Sequence, residues 1–170
     1  SFDAIGEFSE HRALVAKKGK SGFVNEKGEI VIPFTFFYSS IMLTTGQFQN
    51  GFALLKQKNK SVIIDTTGKA FTFAGCEDYG RPSQGYIPVR KNKKWGFADM
   101  NKKIRIPCKF EAVEPFKEGL AVIRQNKLTG LIDTTGSFFI TPLYEDITIM
   151  EKAIMVRSNG KSGLLSRAGI

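Results

Sequence analysis

The feature that most constrains this chain is that it repeats itself. An alternating apolar run, a basic turn and a second apolar run recur five times, ending at Asn25, Asp65, Asp99, Asp133 and Ser166. The intervals between these positions are 40, 34, 34 and 33 residues, the first lengthened by extra residues at 41–47. A unit this short cannot bury its own apolar face. It must stack on its neighbours, so the chain is expected to form a tandem array in which each unit contacts the next.

The second half of the unit repeats as well. Ile32-Pro33 and Ile106-Pro107 stand seven residues after Asn25 and Asp99, and Ile140 stands seven after Asp133 with its proline at Pro142. Aromatic-acidic pairs follow at Phe110-Glu111 and Tyr144-Glu145, with Cys76-Glu77 in that place in the second unit. Phe-x-x-Gly then leads onward at Phe48 to Gly51 and at Phe116 to Gly119. The N-terminal Phe2-Asp3-Ala4-Ile5 is the same pattern begun halfway. The expected division is a single array over 1–170: a half unit 1–12, units 13–51, 52–85, 86–119 and 120–152, and a partial unit 153–170.

Each unit reads as β structure. Ala13/Val15, Ala53/Leu55, Ile87/Val89, Ala121/Ile123 and Ile154/Val156 are spaced by two, and so are Ile30/Ile32, Ile104/Ile106 and Phe138/Ile140. Such short period-two runs between Gly, Asn, Asp and Lys turns predict strands. Lys18-Gly19-Lys20, Lys91-Asn92-Lys93 and Ser158-Asn159-Gly160 predict hairpin turns. Asn25, Asp65 and Asp133, each followed by Gly three residues on, predict a second tight turn in which the Asx side chain accepts a backbone N–H. Lys102 holds that Gly position in the third unit. The expected fold is all-β, with tandem repeats of about 34 residues and three short antiparallel strands each. An open twisted array is the leading form, since it needs only nearest-neighbour packing. The alternative is a closed five-bladed propeller-like ring, in which the N-terminal half unit completes the last one.

The run Lys94-Trp95-Gly96-Phe97-Ala98-Asp99, followed by Ile106-Pro107, Phe110-Glu111 and Phe116 to Val122, resembles the bacterial WG-repeat family. The resemblance covers essentially the whole chain. Trp occurs once, with Ser21, Ser61, Thr129 and Ser162 at the other Trp positions, and Val62 replaces one Gly. The resemblance implies an all-β repeat array and no catalytic residues.

Several apparent motifs reduce to the repeat. Asp-Thr-Thr-Gly at 65–68 and 133–136 is set against an aspartic-protease loop, but an extra Thr intervenes and the Asx residue recurs as a turn residue. Gly-Lys-Ser at 19–21 and 160–162 lacks the upstream Gly of a phosphate loop. Glu77-Asp78 and Glu145-Asp146 are candidate paired carboxylates, yet their equivalent positions favour a structural or turn-capping role. His11 stands alone, and Cys76 and Cys108 read as buried thiols without ligand-like spacing. The sequon at Asn59 is taken as chance. No cofactor or metal is expected.

The basic hairpin tips are the feature that the repeat does not absorb. Lys17, Lys18 and Lys20; Lys56, Lys58 and Lys60; Arg90, Lys91, Lys93 and Lys94; Arg124 and Lys127; Arg157 and Lys161 make up 14 of the 25 basic residues. If the units stack regularly, these tips share one edge and form a basic stripe. The bland alternative is that Lys guards strand ends and keeps the array soluble. Trp95 is either a structural stacking residue or an aromatic platform for a ligand ring.

At 42% apolar and 24% charged residues the chain is composed as a folded protein, not a disordered one. No apolar run reaches the roughly 20 residues of a membrane helix. It begins at Ser1 instead of Met, so a piece of a longer parent chain is expected, and the compartment stays open between cell envelope and cytoplasm. The expected role is a non-enzymatic scaffold that binds another protein. The alternative is binding of an anionic cell-envelope glycan or nucleic acid through the tips and Trp95.

Overall fold

The structure is a computed structural model and describes residues 1–57 and 60–166. It is nearly all-β, 61% strand and 2% helix, with antiparallel strands in open curled sheets and, among the described residues, no closed barrel. The chain divides into two compact units, Ser1–Pro82 and Ser83–Ile170.

The first unit holds β1 (Ala4–Ser9), β2 (Arg12–Lys17), β3 (Lys20–Asn25), β4 (Ile30–Phe37), the one-turn helix α1 (Met42–Thr45), β5 (Phe52–Gln57), β6 (Lys60–Asp65) and the two-residue β7 (Asp78–Tyr79). Strands β1 to β6 follow one another in a single sheet in chain order. The second unit holds β8 (Tyr86–Lys91), β9 (Lys94–Asp99), β10 (Ile104–Phe110), β11 (Ala112–Val113), β12 (Leu120–Gln125), β13 (Leu128–Asp133), β14 (Phe138–Tyr144), β15 (Asp146–Ile149), β16 (Ala153–Ser158) and β17 (Lys161–Ser166). Here β8, β9 and β10 are consecutive, β11 to β14 make a four-stranded meander, and β15 to β17 make a three-stranded one. The segment expected as a loop therefore supplies a further strand, β1, β11 or β15, which pairs with the hairpin of the next repeat.

The Asx turns form as the sequence predicts. Oδ1 of Asn25, Asp65, Asp99 and Asp133 each accepts two backbone N–H groups, two and four residues on, at 2.8 to 3.1 Å. Lys102 takes the left-handed position with φ 65°, where Gly28, Gly68 and Gly136 stand in the other copies.

The third strand departs from simple alternation. Ile32 is buried while Ile30 is exposed, and the same contrast separates Ile106 from Ile104 and Ile140 from Phe138. The cause is a β-bulge. Val24 and Phe23 face Ile30 and Ile32, so two residues of β4 answer one of β3. The same shift recurs in β10 and β14. Beyond it the third strand crosses directly over a glycine. A Cβ on Gly22, Gly96 or Gly130 would lie 2.5, 2.4 or 2.6 Å from the carbonyl oxygen of Ile32, Ile106 or Ile140, closer than atoms can approach. Only glycine admits this backbone.

That requirement accounts for the one irregular repeat. Val62 stands at the glycine position, and among the described residues no third strand pairs along β6. The chain makes a single bridge from Ile64 to Ala70 and a hydrogen bond from Phe71 N–H to the Ile63 carbonyl at 2.7 Å. An edge-to-face run of Phe52, Phe71 and Phe73, with Tyr79 beyond, packs where the strand would run.

The core lies inside the curl of the six-stranded sheet in the first unit and between successive sheets in the second. Leu14, Phe23, Ile32, Phe36, Phe48 and Leu55 form it in the first unit. Phe97, Ile106, Phe110, Phe116, Ile123 and Ile132 form one cluster in the second unit, and Leu131, Ile140, Ile147 and Ile154 form another. Ala13 to Ala16 of β2 are buried one after another, so this strand is covered on both faces. Matched side-chain ties fasten the Phe-x-x-Gly turns. Ser9 donates to the Phe48 carbonyl and Ser83 to the Phe116 carbonyl. Glu10 and Gln84 accept from the N–H groups of Gly51 and Gly119.

Candidate functional site: the basic hairpin tips

Each tip begins as two strand ends in tight register. Lys17 faces Lys20, Gln57 faces Lys60, Lys91 faces Lys94, Gln125 faces Leu128 and Ser158 faces Lys161. The turn residues that follow take left-handed conformations: Lys18, Asn92, Lys93, Asn126, Lys127 and Asn159 all have φ between 51° and 64°. The basic side chains project from these turns. Lys17, Lys18, Lys56, Lys60, Lys91, Lys93, Lys94, Arg124, Lys127, Arg157 and Lys161 are exposed, while Lys20 and Arg90 are half-buried. Lys58 and the sequon residue Asn59 lie outside the described residues.

The third strand connects one tip to the next. It starts at the Asx turn, far from the tip, and its other end returns to the tip. Phe37 faces Lys20 on one side and Lys56 on the other. Phe110 faces Trp95, and the next residue, Glu111, donates its N–H to the Arg124 carbonyl at 2.8 Å. Tyr144 faces Thr129, and Glu145 donates its N–H to the Arg157 carbonyl at 2.8 Å. Two tips in the first unit and three in the second are thus tied along a shared edge within their own unit.

The acidic residue of each aromatic-acidic pair clamps the following tip. Asp3 accepts the Lys18 N–H at 2.6 Å. Glu111 accepts those of Asn126 and Lys127 at 3.1 Å, one on each oxygen. Glu145 accepts that of Asn159 at 3.0 Å, and its second oxygen lies 3.8 Å from Arg157 Nε. These carboxylates are turn caps with alternating charge along the stripe. The sequence singles out Glu145 as a candidate carboxylate, and Asp3 and Glu111 only as members of the repeated pair. The available signal was the recurrence of the pair itself, at a constant offset ahead of each tip.

Trp95 is half-buried at the tip, with the Arg90 guanidinium 5.6 Å from its ring centre. Lys20 makes the corresponding contact with Phe37 at 4.2 Å. In two other repeats a buried hydroxyl replaces Trp and donates to the end of the third strand: Ser21 to the Phe37 carbonyl and Thr129 to the Glu145 carbonyl. Ser61 receives the Lys56 ammonium at 2.8 Å.

The remaining candidates have local partners. Asp65 and Asp133 each accept a 2.6 Å hydrogen bond from the hydroxyl two residues on, which holds their carboxyls below the usual range. Asp99 is held low by the Lys103 N–H and by Arg105 at 2.6 Å. Burial pulls the Asp78 carboxyl up, but the hydroxyl and N–H of Ser61 and the N–H of Tyr79 outweigh it and hold it low. His11 is exposed and sits 3.0 Å from Glu26. Cys76 and Cys108, expected to be buried, are half-buried thiols. A cavity of about 660 Å³ lies against β6 where the third strand is missing, with Lys60 and Glu77 among its lining residues. Among the described residues no cluster of three metal-ligating side chains exists, and no helix is long and apolar enough to cross a membrane.

Among solved structures, the chain is similar to a streptogramin B lyase, at 16% identity and a TM-score of 0.43 over 98% of this chain and 68% of that one. No curated protein matches it. The WG containing repeat matches four times in succession, over residues 22–60, 63–95, 95–128 and 130–161. Two of these windows open at Gly22 and Gly130, and one opens at Trp95 beside Gly96, the positions over which the third strand must pass. The chain belongs to the WG containing repeat family.

Proposed function

We propose that this chain is a non-enzymatic repeat scaffold that binds another protein along the edge carrying its hairpin tips. The observation that carries this reading is the linkage of successive tips within each unit by the third strand, which brings exposed Lys and Arg of neighbouring repeats to one edge. The recurring carboxylates that resemble catalytic groups are engaged in Asx turns and tip clamps, which favours binding over chemistry. Alternating Glu and Lys suits a protein surface of mixed charge. A polyanion would meet the same clamping carboxylates as repulsion.

The test is affinity capture from the organism that makes the protein, after nuclease treatment. The wild-type chain is compared with a variant carrying Arg90→Gln, Lys91→Gln, Lys93→Gln and Lys94→Gln. A protein held by the wild type and lost by the variant is expected. Identical capture by both would sink the reading. Binding that disappears on nuclease or glycan digestion would transfer the tips and Trp95 to the polyanion reading.

A further inference from the structure

The fourth hairpin breaks the pattern of its own edge. The second strand of a hairpin opens with Lys20, Lys60, Lys94 or Lys161 in four repeats and with Leu128 in this one. Three residues beyond the buried isoleucine of the third strand stand Thr35 in the first repeat, Lys109 in the third and Leu143 in the fourth. Both leucines are on the surface, Leu143 at 65% exposure. Thr35 and Lys109 are exposed too, although a further hairpin follows each, so the position faces solvent by the construction of the repeat. Local geometry brings the two leucines together. Thr129 pairs with Tyr144, and both turn inward: Thr129 is buried and Tyr144 packs against the core of its unit. Leu128 and Leu143 are their neighbours in sequence. Side-chain alternation puts both on the outer face, as diagonal cross-strand neighbours. Exposure over 140–144 alternates accordingly, with Leu143 outward.

We propose that Leu128 and Leu143 are the apolar anchor point of the tip edge, and that the partner protein meets them with a segment carrying a large apolar residue with Asp or Glu on each side. The proposal rests on the reading of the tips as a protein-binding edge and names the chemistry of the partner. Cations stand on both sides of the leucines along that edge. Arg124 and Lys127 belong to the same tip, Lys91, Lys93 and Lys94 to the tip before it, and Arg157 and Lys161 to the tip after it, all exposed. The carboxylates there are already engaged: both oxygens of Glu111 accept turn N–H groups, and Glu145 accepts that of Asn159 and faces Arg157. Charge decides the occupant. A second copy of this chain would bring basic tip against basic tip. Phosphate contacts of a nucleic acid draw on cations and leave two adjoining leucines unexplained. An apolar side chain between carboxylates matches both features. Its apolar group loses water at the centre, and its acidic groups meet lysines at the rim, where charge sets orientation and encounter rate.

Selection from a random decapeptide library on the immobilised wild-type chain supplies the probe. Enriched peptides should carry Leu, Ile, Met, Phe or Trp with an acidic residue on both sides. Affinity of the most enriched peptide, read by fluorescence anisotropy, should fall about tenfold or more when its apolar residue is changed to Ser. It should fall as far for the chain carrying Leu128→Lys and Leu143→Lys. That chain should melt as the wild type does, because it takes the residues of the third repeat at both positions. Should it fail to fold, Leu143→Thr, with the residue of the first repeat, makes the same test alone. In the wild type the methyl resonances of Leu128 and Leu143 should shift on binding, while those of Leu55, buried in the first unit, stay in place. No enrichment above bare resin, enrichment without the apolar residue, or equal affinity in the leucine variant overturns the proposal. So does a wild-type dimer that the leucine variant lacks, which gives the leucines to a second copy. In the capture experiment above, a partner lost by the tip variant yet held equally by the leucine variant overturns this proposal and leaves that reading standing. Capture identical in wild type and tip variant removes that reading, and this proposal with it.

Discussion

Gly96 is the residue at which a single methyl group decides the course of β10. Its missing Cβ lets the backbone of Ile106, Pro107 and Cys108 pass within 2.4 to 2.7 Å of where that carbon would sit. Gly96→Val should therefore detach β10 and expose the side of Phe97, at about 3 kcal/mol or more by analogy with overpacked cores. Thermal melting together with amide exchange in β10 checks this, and a loss under about 1 kcal/mol would contradict it. The role was not readable from composition, because a glycine in a strand signals a bulge or a close approach without saying which. The Asx residues were readable, since Asp or Asn three residues before Gly specifies its turn chemistry locally. Their low carboxyl pKa values carry a pH consequence. Stability from Asp65, Asp99 and Asp133 is fully present above the unfolded value near 3.9 and drains away as pH falls through the lower native values. A triple Asp→Ala variant should be less stable at neutral pH, and its stability should vary less between about pH 4 and 2 than that of the wild type. Acid titration followed by circular dichroism measures both slopes, and parallel slopes would refute the assignment.

At the scale of elements, the hairpins were legible and the strands that join them were not. Alternation plus a turn signal marks β2–β3 or β12–β13 without reference to the rest of the chain. Strands β11 and β15 are two and four residues long and arise because the next hairpin offers them an unpaired edge, which no local pattern announces. The third strand was legible in identity but not in facing, since the bulge turns Ile30, Ile104 and Phe138 outward. Helix α1 falls in the extra residues 41–47 and buries Met42 against the core of the first unit. Ile106 is the side chain on which β10 depends: it is 1% exposed, packs with Phe97, Phe116 and Ile132, and lies 3.3 Å from where a Cβ on Gly136 would sit. Ile106→Ala should cost roughly 2–5 kcal/mol. Denaturant unfolding should register it as a lower midpoint, and a change smaller than about 1 kcal/mol would place the packing elsewhere.

The whole chain carries a formal net charge of +9, and its exposed tips hold much of the excess. Any retention on heparin should fall as salt rises, and removing the four charges at 90, 91, 93 and 94 should flatten that dependence. An unchanged slope would leave these side chains with solubility alone. The candidate stripe was readable as composition, since lysines recur at every turn. Its geometry was not, because the register that brings Phe110 beside Trp95 and Glu111 beside Arg124 depends on bulges. The clamping carboxylates add a direction to the molecule. Asp3, Glu111 and Glu145 each lie ahead in sequence of the turn they hold, by 14 to 16 residues. A chain leaving the ribosome N-terminus first therefore carries each clamp into the open before the turn it will grip. Synthesis and assembly then proceed in the same sense, and at these three tips the clamp is already made when the turn arrives.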